Sequence, residues 1–282
     1  MKCPHCGKRI KSGNGRCPFC GGEIHYGGNT KFVVKSARAE LSIRDFFSDA
    51  LKKHPPGVGA RMFIAGTPGA IPAPDRMLNE WNKPWLFTRV LGVGLVFAFM
   101  SYVMYEVLDH PLGFILLFTL GALVLPLGIL IFYWEISIPR DIPIYWVVGI
   151  FLIGGMLSLF FTLLVPVSGP AYLAPLTEEP GKVIALAIFI YMLDTRYIFD
   201  GLLIGAAVGA GFSAFENIYY VMMQASFEQG FDVLIMRSLL TIGGHVTWAA
   251  IEGGALAWAK GNTRLQLRHF MDGRFFVIFS QQ

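Results

Sequence analysis

Long apolar runs separated by short polar stretches dominate the chain after about residue 85. Six such windows follow one another, each of about twenty residues, the length that crosses a hydrocarbon core of about 30 Å as an α-helix. The windows are Leu86 to Val107, Leu112 to Trp134, Ile144 to Val167, Ala171 to Leu193, Phe199 to Met223 and Val233 to Ala259. The pattern predicts an all-α polytopic membrane protein with about six transmembrane helices.

Composition and loop charge agree with this prediction and orient the helices. Hydrophobic residues make up 54% of the chain and charged residues 15%, which is not the composition of a soluble domain. Arg140 and Arg196 lie in the second and fourth turns and Lys260 follows the sixth window, whereas the first, third and fifth turns contain no Lys or Arg. The positive-inside bias therefore predicts that both termini are cytoplasmic. We expect no nucleic-acid binding, because the basic residues lie where they orient helices.

The first thirty residues have a different character from the membrane windows. Two Cys-x-x-Cys pairs, each with Pro after the first cysteine and Gly after the second, place four thiolates at the spacing of a tetrahedral zinc site: Cys3, Cys6, Cys17 and Cys20. Residues 1–30 are predicted to form a zinc ribbon, and a disulfide-bonded unit is the alternative, disfavoured at a cytoplasmic end. A site closed by four thiolates is structural, so we expect the ribbon to contact a cytosolic partner or to steady the cytosolic face.

Two segments flank the predicted membrane domain, which spans residues 86–260. Residues 31–85 are interpreted as a cytosolic juxtamembrane segment, with Ser42 capping a helix through about Lys53 and a turn at Pro55, Pro56 and Gly57. The apolar face of that helix either lies in the membrane interface or packs on the membrane domain; it comprises Phe46, Phe47, Ala50 and Leu51. Residues 261–282 form a basic cytosolic tail, whose apolar run from Phe275 to Phe279 is expected to start a further, truncated helix.

The fourth window contains three ionisable residues at membrane depth, Glu178, Glu179 and Lys182. Each costs roughly 2.5 to 3.5 kcal/mol to insert, so their retention indicates a function. Spacings of three and four residues place Lys182 on one helix face with both glutamates, where it can hold one carboxylate ionised while burial favours a proton on the other. Such a pair suits acid–base chemistry on water, and a purely structural ion pair is the alternative.

Two local signals predict a break in this same helix. Pro180 and Gly181 weaken it, and Thr177 could cap a fresh start whose dipole favours the two acids. A broken helix at membrane depth is tolerated where it lines a wet cavity.

The fifth and sixth windows place further polar residues at a similar depth. Counting along antiparallel helices brings Glu216, Arg237 and His245 into the same half of the membrane as the glutamate pair. Small residues at 201, 205, 209 and 213 predict close helix packing just before Glu216. Phe212 either walls the cavity or only packs, and Asn217 either stabilises an oxyanion or bridges helices.

These residues resemble the motifs of a known family. The segments Glu178-Glu179-x-x-Lys182, Phe212-x-x-x-Glu216-Asn217 and Arg237 to His245 look like the three motifs of the PrsW intramembrane protease family, over about Leu86 to Ala259. That family is similar to the type II CAAX prenyl endopeptidases, whose paired glutamates activate water. Its members cut membrane-anchored anti-sigma factors on the outer side of a prokaryotic cytoplasmic membrane. They usually continue into further helices, which is why a truncated chain is expected.

The resemblance implies a role for each matching residue. Glu178 and Glu179 would activate water, Glu216 and His245 would bind a metal or support the transition state, and Lys182 and Arg237 would tune charge. Catalysis with a zinc ion and metal-free catalysis by the glutamates are both consistent with these residues, because Glu and His can hold zinc but the sequence has no His-Glu-x-x-His pair.

The leading hypothesis is an intramembrane endopeptidase that hydrolyses a single-span membrane protein near the outer leaflet. The alternative is a non-hydrolytic protein in the lipid bilayer, either an ion-coupled transporter or a signalling scaffold, because buried Glu and Lys also mark ion pathways. The windows show no obvious two-fold internal repeat, which disfavours a transporter.

Zinc content tests the ribbon and the catalytic site together. Changing Cys3 and Cys6 to Ser should remove the ribbon zinc measured in purified protein. A zinc equivalent that survives in this variant would lie among the glutamates, whereas complete loss of zinc would favour metal-free hydrolysis. Unchanged zinc content would contradict the ribbon.

Overall fold

The computed structural model describes residues 42–67, 82–138, 140–164, 173–195 and 197–280, which contain helices and no strand. The four predicted ribbon cysteines and Arg196 lie outside these residues. The helices are α1 (Ile43–Phe46), α2 (Pro56–Ile64), α3 (Leu86–Glu106), α4 (Pro111–Ile136), α5 (Ile144–Gly149), a π-helical segment (Ile150–Gly154), α6 (Gly155–Leu163), α7 (Pro175–Leu193), α8 (Ile198–Met222), α9 (Phe227–Gly243), α10 (His245–Lys260), a 3-10 turn (Leu267–Met271) and α11 (Gly273–Phe279).

Each of the six predicted windows contains helix. Among the described residues, five stretches are long and apolar enough to cross a membrane: Leu86–Glu106, Pro111–Ile136, Ile144–Leu163, Ile198–Met222 and Phe227–Lys260. The fourth window corresponds to α7, which differs from these five in carrying Glu178, Glu179 and Lys182. The predicted all-α polytopic membrane fold is thus confirmed.

The central helix of the bundle is α8, with 78% of its apolar window buried compared with 6% for α3. Gly201, Gly205 and Gly209 lie against the backbone of α10, so close that a Cβ atom on any of them would overlap a carbonyl oxygen of that helix. The predicted small-residue stripe is therefore a helix contact. Because the two backbones approach this closely, residues that follow the stripe on α8 are held beside the first turn of α10.

The helix break lies in the sixth window and not in the fourth. α7 runs without interruption from Pro175 to Leu193, so the break predicted at Pro180 and Gly181 is wrong. The Thr177 hydroxyl donates to the carbonyl of Ala174 and does not cap the helix. Gly181 instead admits the backbone of α6, because a Cβ atom there would lie 2.7 Å from the Ser158 carbonyl oxygen.

The sixth window divides at Gly244, whose φ of −98° and ψ of −125° are not helical. α9 therefore ends at Gly243, and α10 begins at His245. The first N–H groups of α10, which have no partner within that helix, thus lie in the middle of a predicted span.

The part of the juxtamembrane segment that the structure describes packs on the membrane helices. Ser42 accepts a hydrogen bond from the Asp45 amide as predicted, but α1 ends at Phe46, well short of Lys53. The rings of Phe46 and Phe47 contact Phe132 on α4, and Ala50 is buried. Leu51, which was predicted to share this apolar face, does not pack on the membrane helices, because 85% of its surface is exposed.

A helix occurs where the sequence predicted only a turn. α2 begins at Pro56, because proline at the first helical position loses no hydrogen bond and has a suitable φ. The turn prediction at Pro55 to Gly57 is therefore wrong.

A buried carboxylate joins the first two spans. Glu135, near the end of α4, is fully buried and accepts hydrogen bonds from the amides of Trp85, Leu86 and Phe87 at 2.8 to 2.9 Å. These amides belong to the start of α3 and have no partner within that helix. Glu135 thus caps α3 from outside, and its charge complements the helix dipole.

The contact between α8 and α10 makes a stability prediction. Changing Gly205 to Ala should force the two backbones apart and destabilise the protein by about 1 to 3 kcal/mol, seen as a lower unfolding temperature in detergent. Gly92 on α3 is the matched control, because a Cβ atom there would meet nothing within 4 Å. Equal effects of the two alanine substitutions would contradict this packing.

Candidate active site

Three polar side chains enter the bundle from the first two turns of α7. Lys182 is fully buried, and its Nζ lies 2.7 Å from Oε1 of Glu179 and 3.8 Å from Oε2 of Glu178. A buried ammonium is costly unless it is paired, and these carboxylates supply that pairing. The spacing predicted from the sequence is therefore realised, with Glu179 as the closer partner of Lys182.

α8 supplies an aromatic ring and a second acidic group. Phe212 is buried, with its ring centroid 4.4 Å from the Lys182 Nζ and 5.1 Å from the imidazole centroid of His245. The ring is part of the buried core and also forms one side of the polar cluster. Phe212 therefore fills both of the roles predicted as alternatives, packing and lining the cavity. Glu216 follows one turn later with its side chain 11% exposed.

α9 fixes Glu216 through Arg237. A terminal nitrogen of Arg237 lies 2.6 Å from Oε2 of Glu216, and its Nε donates to Oδ1 of Asn217 at 2.7 Å. The Nδ2 of Asn217 in turn donates to the Thr241 hydroxyl. Both ends of the Asn217 amide are therefore bonded to α9, which favours the helix-bridging role over the oxyanion role. The ring of Tyr220 packs against the Arg237 guanidinium, with 4.1 Å between the ring centroid and Cζ of Arg237.

The break at Gly244 places His245 at the centre of the cluster. Its Nδ1 lies 2.7 Å from the Nζ of Lys182, and its Nε2 lies 3.1 Å from Oε2 of Glu216. A protonated lysine only donates, so Nδ1 accepts and Nε2 carries the hydrogen that points to Glu216. The start of α10 also brings its positive dipole end to these carboxylates.

All eight residues predicted for the catalytic site therefore meet. Glu178, Glu179 and Lys182 come from α7, Phe212, Glu216 and Asn217 from α8, Arg237 from α9 and His245 from α10. Side chains from helices that run in opposite directions reach one level, as the depth argument predicted.

Glu252 is a member of this neighbourhood that the predicted site did not include. It lies on α10, is fully buried, and interacts electrostatically with Glu179 and Lys182. The signal in the sequence is its position two turns after His245, which places both residues on nearly the same helix face.

Three of these side chains could hold a metal ion. Donor atoms of Glu178, Glu216 and His245 all lie within 4.8 Å of one another. Two carboxylates and an imidazole are donors that zinc accepts, and three protein ligands leave a position for water or substrate. Binding through Nε2 of His245 would displace its hydrogen, as metal binding to protonated ligands does. The donor set thus fits a hydrolytic metal.

Comparison with known proteins supports this interpretation. Residues 110–279 match the family model described as PrsW family intramembrane metalloprotease. Searches of curated proteins and of solved structures give no match.

The pairing of Lys182 makes a second stability prediction. Changing Lys182 to Met keeps the volume but leaves Glu179 without the ammonium, which should lower the free energy of unfolding by about 3 kcal/mol. Adding Glu179→Gln should restore part of that loss, because the buried charge is removed as well. Denaturant unfolding of the single and double variants measures both effects.

Lys52 provides the control for this experiment. Its Nζ lies at the same 2.7 Å from Asp49, but the lysine side chain is 63% exposed. Lys52→Met should cost less than about 1 kcal/mol, as exposed pairs do. Similar losses for the two lysine variants would show that burial does not determine the strength of the pairing.

Proposed function

The chain belongs to the PrsW family of intramembrane metalloproteases, and from this premise we propose that it cuts a single-span membrane protein of the anti-sigma-factor type near the outer leaflet of a prokaryotic cytoplasmic membrane. The observation that carries the proposal is the meeting of Glu178, Glu216 and His245 from three helices, with donor atoms within 4.8 Å of one another. Membership makes the protein a hydrolase of membrane substrates.

In this proposal Glu178, Glu216 and His245 would hold a metal ion. When bound, such an ion would polarise the carbonyl of a peptide bond and make a water molecule more acidic. Glu178 lines the open groove next to the cluster, so it is the paired glutamate that can reach substrate. Its second oxygen is then available as a base.

The proton path follows from this placement. A water molecule among the three side chains attacks the carbonyl carbon of the peptide bond, and a carboxylate oxygen of Glu178 accepts its proton. The same proton passes to the amide nitrogen as the carbon–nitrogen bond breaks. A carboxylate that first accepts and then donates a proton is general acid–base catalysis, which contributes roughly 10² to 10⁴-fold.

The remaining residues position this machinery. Glu179 balances the charge of Lys182, so Glu178 stays available for the water molecule. Lys182 fixes the orientation of the His245 ring, and Arg237 does the same for the Glu216 carboxylate. Asn217 ties α8 to α9, and Phe212 keeps water away from the side of Lys182 that faces it.

Charges in the loops support the proposed side of cleavage. With Arg140, Arg196 and Lys260 on the cytoplasmic side, the cluster lies in the outer half of the membrane. In the same arrangement the four-cysteine segment of residues 1–30 faces the cytoplasm. We propose that it binds one structural zinc and docks a cytosolic partner.

Activity of glutamate variants tests the proposal. With tagged single-span reporter proteins in a bacterial host, Glu178→Gln should lower cleavage by about 10²-fold or more, because it removes the base. Glu179→Gln should also lose activity. Because all three side chains would bind the metal, Glu178→Gln, Glu216→Gln and His245→Ala should each also lose the zinc equivalent that a Cys3 and Cys6 variant retains.

Glu228 is the control for these substitutions. It lies exposed in the first turn of α9, so Glu228→Gln should cleave like the unmodified protein. Unchanged cleavage by the Glu179→Gln protein would contradict the proposed use of the glutamate pair. Uptake in proteoliposomes that depends on Glu178, without any proteolysis, would favour the transporter alternative.

A further inference from the structure

An apolar groove leads directly to the acid cluster. This cavity, here called the acid groove, has a volume of about 570 Å³, within the range of ligand-binding pockets. α6 forms one wall and the second half of α8 the other, with Glu178 and Glu216 among the lining residues. Apolar side chains make up most of the rest, including Met156, Phe160 and Phe215.

Glycine contacts explain why the groove lies at this end of the two helices. A Cβ atom on Gly155 would overlap the backbone of Gly211, so α6 and α8 touch there. Beyond this contact the residues that line the groove are mostly large, among them Phe160 on α6 and Phe215 on α8. The π-helical segment Ile150–Gly154 takes part in this contact, since a Cβ atom on Gly211 would also overlap the carbonyl oxygen of Phe151. Such wide turns are frequent at functional sites.

The mouth of the groove is apolar and exposed. Met156, Phe160 and Tyr219 are each more than half exposed, and in a multi-pass membrane protein such side chains face lipid or a partner within the membrane. The side chains of Glu178 and Glu216, by contrast, are 16% and 11% exposed. The groove therefore runs from an apolar entrance to a polar inner end.

We propose that the acid groove binds the membrane segment of the substrate in an unwound form. Bulky apolar side chains of that segment lie against Phe160 and Phe215, and the next peptide bond faces Glu178 and Glu216. This inference rests on the proposed function and adds the path by which the substrate reaches the site and the kind of side chain that is preferred beside the cut.

The polar inner end distinguishes a peptide from a lipid chain as the occupant. An unwound peptide in the membrane must find partners for its N–H groups, each of which costs several kcal/mol when unsatisfied. The carboxylates of Glu178 and Glu216 and the hydroxyl oxygen of Thr162 can accept such hydrogen bonds. An acyl chain has no hydrogen to donate, so it would leave this end of the groove unused.

A second groove of similar size provides an internal control. It has a volume of about 590 Å³ and lies between α3, α4 and α9, where Phe99 is 66% exposed. No charged residue occurs among the described residues that line it. If apolar volume alone attracted the substrate, the two grooves would bind it equally well.

Site-specific photocrosslinking separates the two grooves. A benzoyl-phenylalanine at Phe160 or at Phe99, in the Glu179→Gln protein, is irradiated with a tagged single-span reporter whose segment of about twenty Leu and Ala residues is interrupted by Gly-Gly. We expect a crosslink from position 160 at least tenfold above that from position 99. Equal crosslinking, or crosslinking from position 99 alone, would overturn the proposal.

Cleavage by single variants that keep Glu179 gives an independent measurement. Phe160→Ala should lower kcat/KM by about tenfold for reporters with Leu or Phe beside the cut, and less for reporters with Ala there, because a lost apolar contact costs most for large side chains. Phe99→Ala should cleave like the unmodified protein. A uniform loss for all reporters, or the same loss in both variants, would refute the preference.

The two proposals fail in different ways. Absence of cleavage by unmodified protein would reject the peptidase activity while the crosslink still reports on binding in the groove. Normal cleavage together with crosslinking at position 99 would reject the groove and leave the peptidase standing.

Discussion

The buried ammonium of Lys182 is the interaction on which the polar centre depends. It is fully enclosed, and charges at membrane depth are retained only when other groups compensate them. Glu179 on the same helix and the imidazole of His245 on α10 both lie 2.7 Å from its Nζ. Lys182 thus ties α7 to the first residue of α10, and it pairs closely with Glu179 while Glu178 lines the groove.

Close backbone packing makes this arrangement possible. The glycine face of α8 lets α10 approach until carbonyl oxygens lie where side chains would otherwise be, and the α10 residue at the end of this contact is His245. A wider separation of α8 and α10 would move the His245 imidazole away from Glu216, whose Oε2 lies 3.1 Å from its Nε2. Small residues thus serve the chemistry indirectly, by fixing the distance between helices that carry the ligands.

The sequence predicted what depends on composition and spacing, and it failed where tertiary contacts decide. Six apolar windows and the convergence of Glu178, Glu216 and His245 follow from the length of a membrane span and from the cost of burying charge. The position of the helix break did not follow. Pro180 is tolerated near the start of α7, whereas Gly244 breaks the sixth span with no proline to mark it. That Glu135 caps the neighbouring helix could not be predicted either, because its partners lie about fifty residues away.

The position of the cluster also bears on which part of a substrate can be cut. In lipid, unwinding the middle of a helix exposes N–H and C=O groups that water cannot reach, so each one must find a partner in the enzyme. At the end of a helix, four N–H or four C=O groups already lack partners within the helix. A groove with two carboxylates at its inner end can satisfy a few such groups, but not those of several turns. The geometry therefore favours a peptide bond near the end of a membrane segment, where the substrate has the least helix to lose before it can be hydrolysed.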